Sequence, residues 1–362
     1  MTFRPLLPVV ATALVAFVAA CGATPGTGGA SPTSASLPSA SAIAQPPSPT
    51  ASASAIAQPS PSPSAAAASA YLDDRSNAAA LISSYYDAIS KRQYLRAYSY
   101  WETSDSLPPY ATFAQGFANT NDVQVELGTV GGSAGAGQLY WSVPAAVFSA
   151  TTAGAQSFVG CYTAHLARPE LQAAPPFKPL SIQAGQLSAV ATAAAARAAL
   201  STACGTANAT PLPWGTSAGG IDAANYVDDR SAGEAVIRSY YNAVNRKEYT
   251  RAYGYWESGA SQLPAFTPFQ AGYANTKSVT LLTKPGTIGA GAGQTYYSVP
   301  AVITASNTDG TTTIFAGCYT LHLGSPIAQA TPPFQPVAIQ SARIAQAANG
   351  SNPSDLLNST CL

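Results

Sequence analysis

The sequence predicts an α+β protein with two repeated domains, each made of helices packed on a curved antiparallel sheet. A segment from Tyr71 to Glu102 recurs from Tyr226 to Glu257 at a constant offset, since 226−71 and 257−102 both give 155. In each copy, apolar residues at helical spacing come first, and runs with strand character follow. We therefore expect a duplicated domain, with one copy over residues 71–204 and the other over 226–362.

The first twenty residues are typical of a bacterial export signal. Arg4 supplies a short basic start, and Leu6 to Val18 is almost wholly apolar yet short for a membrane span. The end of this segment, Val18-Ala19-Ala20-Cys21, resembles the lipobox of bacterial lipoproteins. The resemblance implies that Cys21 is lipidated and that the protein is anchored to the bacterial cell membrane, facing outside the cytoplasm. An ordinary secretory signal is the alternative.

Residues 21–70 contain the lipidated cysteine and a stretch of mostly Ala, Ser, Pro, Thr and Gly. This composition cannot bury a core, and its prolines favour extended, solvated chain. It predicts a disordered tether between the membrane and the folded body. A Gly/Pro-rich linker over residues 205–225 joins the two copies, and Trp214 within it is a candidate to pin them together.

Charge and composition exclude some classes of partner. The chain has 16 Lys and Arg and 16 Asp and Glu, so its formal net charge is zero. No basic face is visible, which argues against nucleic acid. No CxxC pair or His/Cys cluster occurs, so we expect neither a metal nor a cofactor. The expected partners are the membrane, through the lipid, and an unidentified protein or small-molecule ligand.

Four cysteines remain once Cys21 is assigned to lipid. They form two pairs of equal spacing, since 204−161 and 361−318 both give 43. Four cysteines allow three connectivities, and the duplication selects the one in which each copy closes its own bridge, Cys161–Cys204 and Cys318–Cys361. Buried free thiols are the alternative, which an exported protein disfavours.

Each copy begins with two helices and a shorter helical piece. Ser76 and Ser231 are predicted N-caps, with Glu234 completing a capping box in the second copy. One apolar stripe is predicted on the first helix, formed by Leu81, Ile82, Tyr85 and Ile89 or by Val236, Ile237, Tyr240 and Val244. The second helix carries Tyr94, Tyr98 and Trp101 or Tyr249, Tyr253 and Trp256, and the short piece carries Phe113 and Phe117 or Phe269 and Tyr273.

Four strands follow in each copy, separated by Gly-rich or Pro-rich turns. We predict them over 123–130, 138–148, 157–166 and 179–187, and over 279–288, 294–303, 313–323 and 336–344. The second strand has bulky aromatics on both faces, at Tyr140 and Trp141, so both faces of the sheet should be covered. The helices provide one cover, and the sister copy could provide the other. An Ala-rich tail closes the domain and ties back to the third strand through its cysteine.

Helices followed by an antiparallel meander resemble the nuclear transport factor 2-like fold. The residues that carry this resemblance are the IxSYYxAxxxxxYxRAYxYW segments at 82–101 and 237–256, with the strand series behind them. The group includes ketosteroid isomerase and SnoaL-like polyketide cyclases. The resemblance implies a cone-shaped pocket between helix and sheet, and a tandem pair that could form, within one chain, the dimer that such domains make through their sheets. It is a resemblance of fold and does not imply one function.

Two repeated polar motifs are candidate sites. Asp73-Asp74-Arg75 recurs as Asp228-Asp229-Arg230, and the paired carboxylates suit acid/base chemistry or ligand clamping. The structural alternative places these acids before a helix N-terminus with the arginine as their partner. The only histidines, His165 and His322, both lie in CYTxHL. Each could act as a general base, or it could be a packed, hydrogen-bonded residue on the strand face opposite Tyr162.

The aromatic residues of the helices are the third candidate. They could line a ligand pocket for a sugar, peptide or aromatic compound, or they could fill a core. The pocket candidates are Tyr85, Tyr86, Trp101 and His165 in the first copy and Tyr240, Tyr241, Trp256 and His322 in the second. The third and fourth strands carry no Asp or Glu in either copy, which argues against ketosteroid-isomerase chemistry. No catalytic residue is assigned.

Three functions follow from these features. The favoured one is a lipid-anchored extracytoplasmic binding or interaction protein of unknown ligand. A structural envelope or assembly spacer is the second, and a cyclase- or isomerase-type enzyme using the cone pocket is the third.

Overall fold

The computed structural model describes residues 71–205, 221, 223–348 and 350–361. The expected signal peptide, Cys21, the tether and Trp214 lie outside these described residues. Within the described part, no helix combines the length and the apolar character needed to cross a membrane.

The two copies have the same element order. The first contains α1 (Ala78–Ser90), α2 (Tyr94–Ser99), α3 (Tyr110–Gln115), β1 (Thr120–Leu127), β2 (Gly131–Gly135), β3 (Gln138–Thr151), β4 (Gly154–Ala167), β5 (Ser181–Val190) and α4 (Ala193–Ala199). The second contains α5 (Gly233–Asn245), α6 (Tyr249–Tyr253), α7 (Phe266–Ala271), β6 (Thr276–Thr283), β7 (Thr287–Gly291), β8 (Gln294–Asn307), β9 (Thr312–Gly324), β10 (Ala338–Gln346) and α8 (Pro353–Ser359).

Each copy has its own antiparallel sheet. The strand order is β1-β3-β4-β5 in the first copy and β6-β8-β9-β10 in the second, and the short strands β2 and β7 pair with β3 and β8. The register shifts between Thr120 and Asp122 and again between Thr163 and Ala164. Such irregularities bend a strand and increase its twist. The predicted α+β class, with two repeated domains, is confirmed.

The first helix of each copy packs on the sheet through the predicted apolar stripe. All eight residues of the two stripes are buried: Leu81, Ile82, Tyr85, Ile89, Val236, Ile237, Tyr240 and Val244. Helical spacing places such residues on one side of the helix. The second helix is shorter than predicted, because Trp101 and Trp256 leave it and form parallel bridges with Ile182 and Ile339.

The predicted helix caps were wrong by one residue. Asn77, not Ser76, caps α1 and accepts a hydrogen bond from the Ala80 amide at 2.9 Å. In the second copy Ala232 stands at the cap and no side chain caps α5, so Glu234 completes no capping box. The serine hydroxyls serve a tertiary contact instead, which local sequence rules cannot detect.

One strand in each copy was not predicted. The Gly-rich segments Gly131–Gly135 and Thr287–Gly291 were expected as turn or strand end, yet they form β2 and β7. Glycine has low strand propensity, and pairing with the long neighbouring strand overrides it here. The preceding strand consequently ends earlier than predicted, at Leu127 in the first copy and at Thr283 in the second.

Each copy closes its own disulfide. Cys161 bonds Cys204, and Cys318 bonds Cys361, as the spacing predicted. In the first copy the bridge holds the tail against the outer face of the sheet, where Ala196 of α4 packs with Ala146 and Val159. The second cover of this sheet therefore includes the tail of the same copy.

Candidate functional site

The repeated Asp-Asp-Arg segments join the two copies. Asp74 and Asp229 form an isolated antiparallel bridge. The amide of Arg75 donates to the Asp228 carbonyl at 2.7 Å, and the Arg230 amide donates to the Asp73 carbonyl at the same distance. We call this contact the joint. It is a backbone pairing between copies, which neither interpretation of the motif included.

Side chains close the joint in the same reciprocal way. The Asp73 amide donates to the Ser231 hydroxyl at 2.9 Å, and the Asp228 amide donates to the Ser76 hydroxyl at 2.9 Å. Each serine therefore satisfies a backbone donor of the other copy. The sequence predicted these two serines as helix caps, but in the fold their hydroxyls form hydrogen bonds between the two copies.

The first aspartate of each motif is buried and receives tyrosine hydroxyls. Tyr71 and Tyr100 donate to Asp73 at 3.0 and 2.9 Å, and Tyr226 and Tyr255 make the equivalent bonds to Asp228. Burial, followed by the charge of Asp73, raises the pKa of Tyr100 well above its ordinary value. The tyrosines therefore remain neutral donors, and the cluster is a closed structural network.

The second aspartate of each motif has a raised pKa. Burial raises the pKa of Asp74 to about 6, opposed by hydrogen bonds from Ser76 and reinforced by the charges of Asp229 and Asp228. Burial also raises the pKa of Asp229. Because Asp74 and Asp229 are paired through their backbones and the charge of Asp229 raises the pKa of Asp74, the ionisation of these side chains is coupled to the pairing of the copies.

The helical aromatic candidates fill the space between helix and sheet. Tyr85 and Tyr86 are only 4% and 5% exposed, and Tyr86 shares a 2.6 Å hydrogen bond with the Tyr162 hydroxyl. Trp101 packs edge-to-face against Tyr85, with ring centroids 5.9 Å apart. The second copy repeats this packing with Tyr240, Tyr241, Trp256 and Tyr319. In both copies these rings are part of the hydrophobic core.

His165 lies on the opposite face of the sheet, in a polar cluster. Its Nδ1 faces a carboxylate oxygen of Glu102, and its Nε2 lies 2.7 Å from Oε1 of Gln138. Tyr140 stacks on the imidazole, with ring centroids 4.7 Å apart. Both ring nitrogens are engaged, so the histidine is held in place and no ring nitrogen is left to act as a general base.

The second copy builds the same cluster. Nδ1 of His322 lies 2.9 Å from Oε1 of Glu257, Nε2 lies 2.5 Å from Oε1 of Gln294, and Tyr296 stacks on the ring at 4.9 Å. Tyr296 is 40% exposed. We call the two sets the outer-face clusters: Glu102, Gln138, Tyr140 and His165 in the first copy and Glu257, Gln294, Tyr296 and His322 in the second.

Sequence reasoning found the histidines but missed their carboxylates. Glu102 follows the second helix, more than sixty residues from His165, and reaches it only because its amide donates to the Ile182 carbonyl at 2.9 Å. This bond places the segment beside β5, and β5 pairs with β4. The repeated Tyr-Trp-Glu ending of the helical segment was the available signal, since its glutamate is kept in both copies.

Part of the outer face is identical in the two copies. Along β3 and β4, five outward residues are identical to their counterparts on β8 and β9: Gln138 and Gln294, Tyr140 and Tyr296, Ser142 and Ser298, Thr163 and Thr320, His165 and His322. The buried residues of these strands are kept to a similar degree: Val143 and Tyr162 are matched by Val299 and Tyr319, whereas Ala164 is replaced by Leu321. Farther along the same face, Ala146 and Val159 are replaced by Val302 and Ala316, so the identity is concentrated at the polar end that carries the histidine.

A surface cleft of about 470 Å³ borders the cluster of the first copy. It is lined by residues 134–137 at the tip of the β2–β3 hairpin and by Arg168, Glu170 and Leu171. The Arg168 amide donates to the Gly137 carbonyl at 2.9 Å, next to Gln138. The concave surface therefore lies outside the helix–sheet core.

Comparison with known proteins gives little resemblance. Among solved structures, the chain is similar to an Ntf2-like protein involved in plasmid conjugation, with 9% sequence identity and a TM-score of 0.17, over 75% of this chain and 100% of that chain. No protein-family model and no curated protein matches the chain.

Proposed function

We propose that the protein is a lipid-anchored, extracytoplasmic binding protein that contacts its ligand through the outer-face clusters. The observation that carries this proposal is that both copies build the same partly exposed cluster of Glu, Gln, Tyr and His on the outer face. A spacer would need no such face. A cyclase or isomerase would need the inner space, which Tyr86, Tyr162 and their neighbours occupy in the first copy.

The fold proposed for each copy is the nuclear transport factor 2-like cone. Its support is the order of three helices followed by an antiparallel sheet, together with the bulges that bend strands at Thr120 and Thr163. In such a fold the inner space is the usual ligand site. Here the aromatic core fills it, and the polar residues kept between the copies lie on the other side of the sheet.

The anchor is tested by lipid labelling. We expect the full chain, expressed in a bacterium, to incorporate an alkyne fatty acid and to fractionate with the membrane, while the Cys21→Ser variant does neither. Protease added to protoplasts or spheroplasts, whose cytoplasmic membrane is intact, should remove the body. Unlabelled wild-type protein, or a body protected from the protease until the cells are lysed, would overturn the proposed location.

The binding face is tested by photocrosslinking in cells. A benzophenone amino acid replaces exposed Tyr296, and the matched control places it at Asp309, an exposed residue in the turn between β8 and β9. We expect a discrete crosslinked product at position 296 and none at 309. Equal products at both positions, or none at either, would contradict a binding role for this face.

A further inference from the structure

We propose that the ligand of the outer-face cluster in the second copy is a neutral saccharide chain that stacks on the ring of Tyr296. This inference rests on the proposed function, since it names the ligand class of the same face. The open space beside the ring, the hydrogen-bonding groups around it and the charge of the cluster support this assignment.

Tyr296 presents an open ring face. One face stacks on His322, and the strand partner on the other side of the ring is Gly289. A Cβ built on Gly289 would have no heavy atom within 4 Å. The tyrosine ring therefore lies next to an open space above the backbone of Gly289 in β7, which we call the slot. Aromatic rings with an apolar face and a polar tip suit a ligand that has both characters.

Hydrogen-bonding groups surround this slot on the same face of the sheet. Glu257 uses one carboxylate oxygen for His322, and Gln294 uses its amide oxygen for the same ring. These contacts use only one oxygen of Glu257 and only the oxygen of the Gln294 amide, and the hydroxyls of Ser298 and Thr320 lie on the same face. Fixed planar acceptors and donors beside an aromatic ring match the hydroxyls and the C–H face of a sugar.

Charge narrows the ligand class. The cluster contains one carboxylate and one imidazole, and no Lys or Arg belongs to it. A phosphate or uronate would meet Glu257 without a permanent cation to balance it. Within the described residues, no group of three His, Cys, Asp or Glu side chains could hold a metal ion. A neutral, hydroxyl-rich ligand fits these groups.

The two copies differ in how open the slot is. In the first copy Ser133 pairs with Tyr140 where the second has Gly289, and Tyr140 is less exposed than Tyr296. We infer that the second copy provides the stronger subsite and the first a weaker one. Two subsites on one chain favour a repeating polymer over a single sugar, because the second contact becomes intramolecular.

The test uses the full chain purified from membranes and titrated by calorimetry with cellohexaose, mannohexaose and chitohexaose. Hexagalacturonate is the charged control. We expect saturable binding of at least one neutral hexasaccharide and none of the uronate. Gly289→Val fills the slot without removing a polar group, and Tyr296→Ala removes the ring, so each should weaken binding roughly tenfold. Ala290→Val, on the same strand but the other face, should bind as wild type.

Thermal unfolding of each variant shows that the fold is intact, which the open space at Gly289 and the exposure of Tyr296 lead us to expect. Absence of binding by all three neutral sugars would overturn the inference, as would wild-type affinity in the Gly289→Val and Tyr296→Ala variants. If no sugar binds but position 296 still crosslinks in cells, the proposed binding face stands and only the saccharide assignment fails. If neither is seen, both fail.

Discussion

Asp87 and Glu248 neutralise equivalent buried arginines from different positions on the chain. Asp87 lies 2.6 Å from Nη2 of Arg96, and Glu248 lies 2.6 Å from Nη2 of Arg251. At the position of Asp87 the second copy has an asparagine, and at the position of Glu248 the first copy has a glutamine. Each copy thus has one carboxylate for an arginine that is almost fully buried. The position of Glu248 corresponds to Gln93 in the first copy, six residues after Asp87.

Asp87→Asn should destabilise the protein by about 3 kcal/mol, because it leaves the buried charge of Arg96 without a carboxylate. Urea denaturation followed by circular dichroism measures the change. The double variant Asp87→Asn with Gln93→Glu reproduces the arrangement of the second copy and should recover most of the loss. A double variant no more stable than the single one would show that the two positions are not interchangeable.

Asp74→Asn should stabilise the protein at pH 7.5 by roughly 1–2 kcal/mol, allowing for partial exposure of the carboxylate. The pKa of Asp74 is raised from 3.8 to about 6. Its folded state therefore favours the protonated form, and stability present below pH 4 is lost as the pH rises through 6. An asparagine oxygen can still accept the Ser76 amide hydrogen bond that Asp74 Oδ1 now accepts.

The measurement is urea denaturation of wild type and Asp74→Asn at several pH values from 4 to 8. The two stabilities should converge near pH 4, separate as the pH rises from 4 to 6, and differ by a constant amount above pH 6. A variant that is less stable than wild type at pH 7.5 would mean that the charge of Asp74 holds the joint together.

Tyr86→Phe should cost about 1–2 kcal/mol, because it leaves the Tyr162 hydroxyl buried without its 2.6 Å partner. The variant Tyr86→Phe with Tyr162→Phe removes both hydroxyls and should be close to wild type. Thermal unfolding of the two single variants and the double variant forms a double-mutant cycle. Additive losses would indicate that water, and so an open space, reaches these hydroxyls.

Cys204→Ser should lower stability by about 4 kcal/mol in the chain-entropy model, since the bridge closes a separation of 43 residues. Cys361→Ser tests the equal separation in the second copy. Denaturation with and without reductant measures both. Reductant should destabilise wild type more than it destabilises either single variant, because wild type has two bridges to open and each single variant has one. An effect of reductant on the Cys204→Ser/Cys361→Ser double variant would point to another cause.

Sequence alone determined what depends on local pattern and on the repeat. The apolar stripe from Leu81 to Ile89 predicted the buried side of α1, since helical spacing sets which side chains share a side. The equal spacing of Cys161 and Cys204 in both copies predicted the disulfides, because a duplicated domain closes within itself. Strand alternation likewise placed His165 opposite Tyr162.

Tertiary structure alone decided the joint and the outer-face clusters. Ser76 follows the local rules of a helix cap, yet its hydroxyl accepts the amide of Asp228, 152 residues away. Glu102 lies 63 residues from His165 and meets it because three segments of backbone lie side by side across one sheet. Local rules describe neighbours along the chain, whereas these contacts arise from strand pairing and from the packing of one copy on the other, and that is why the fold was needed to find them.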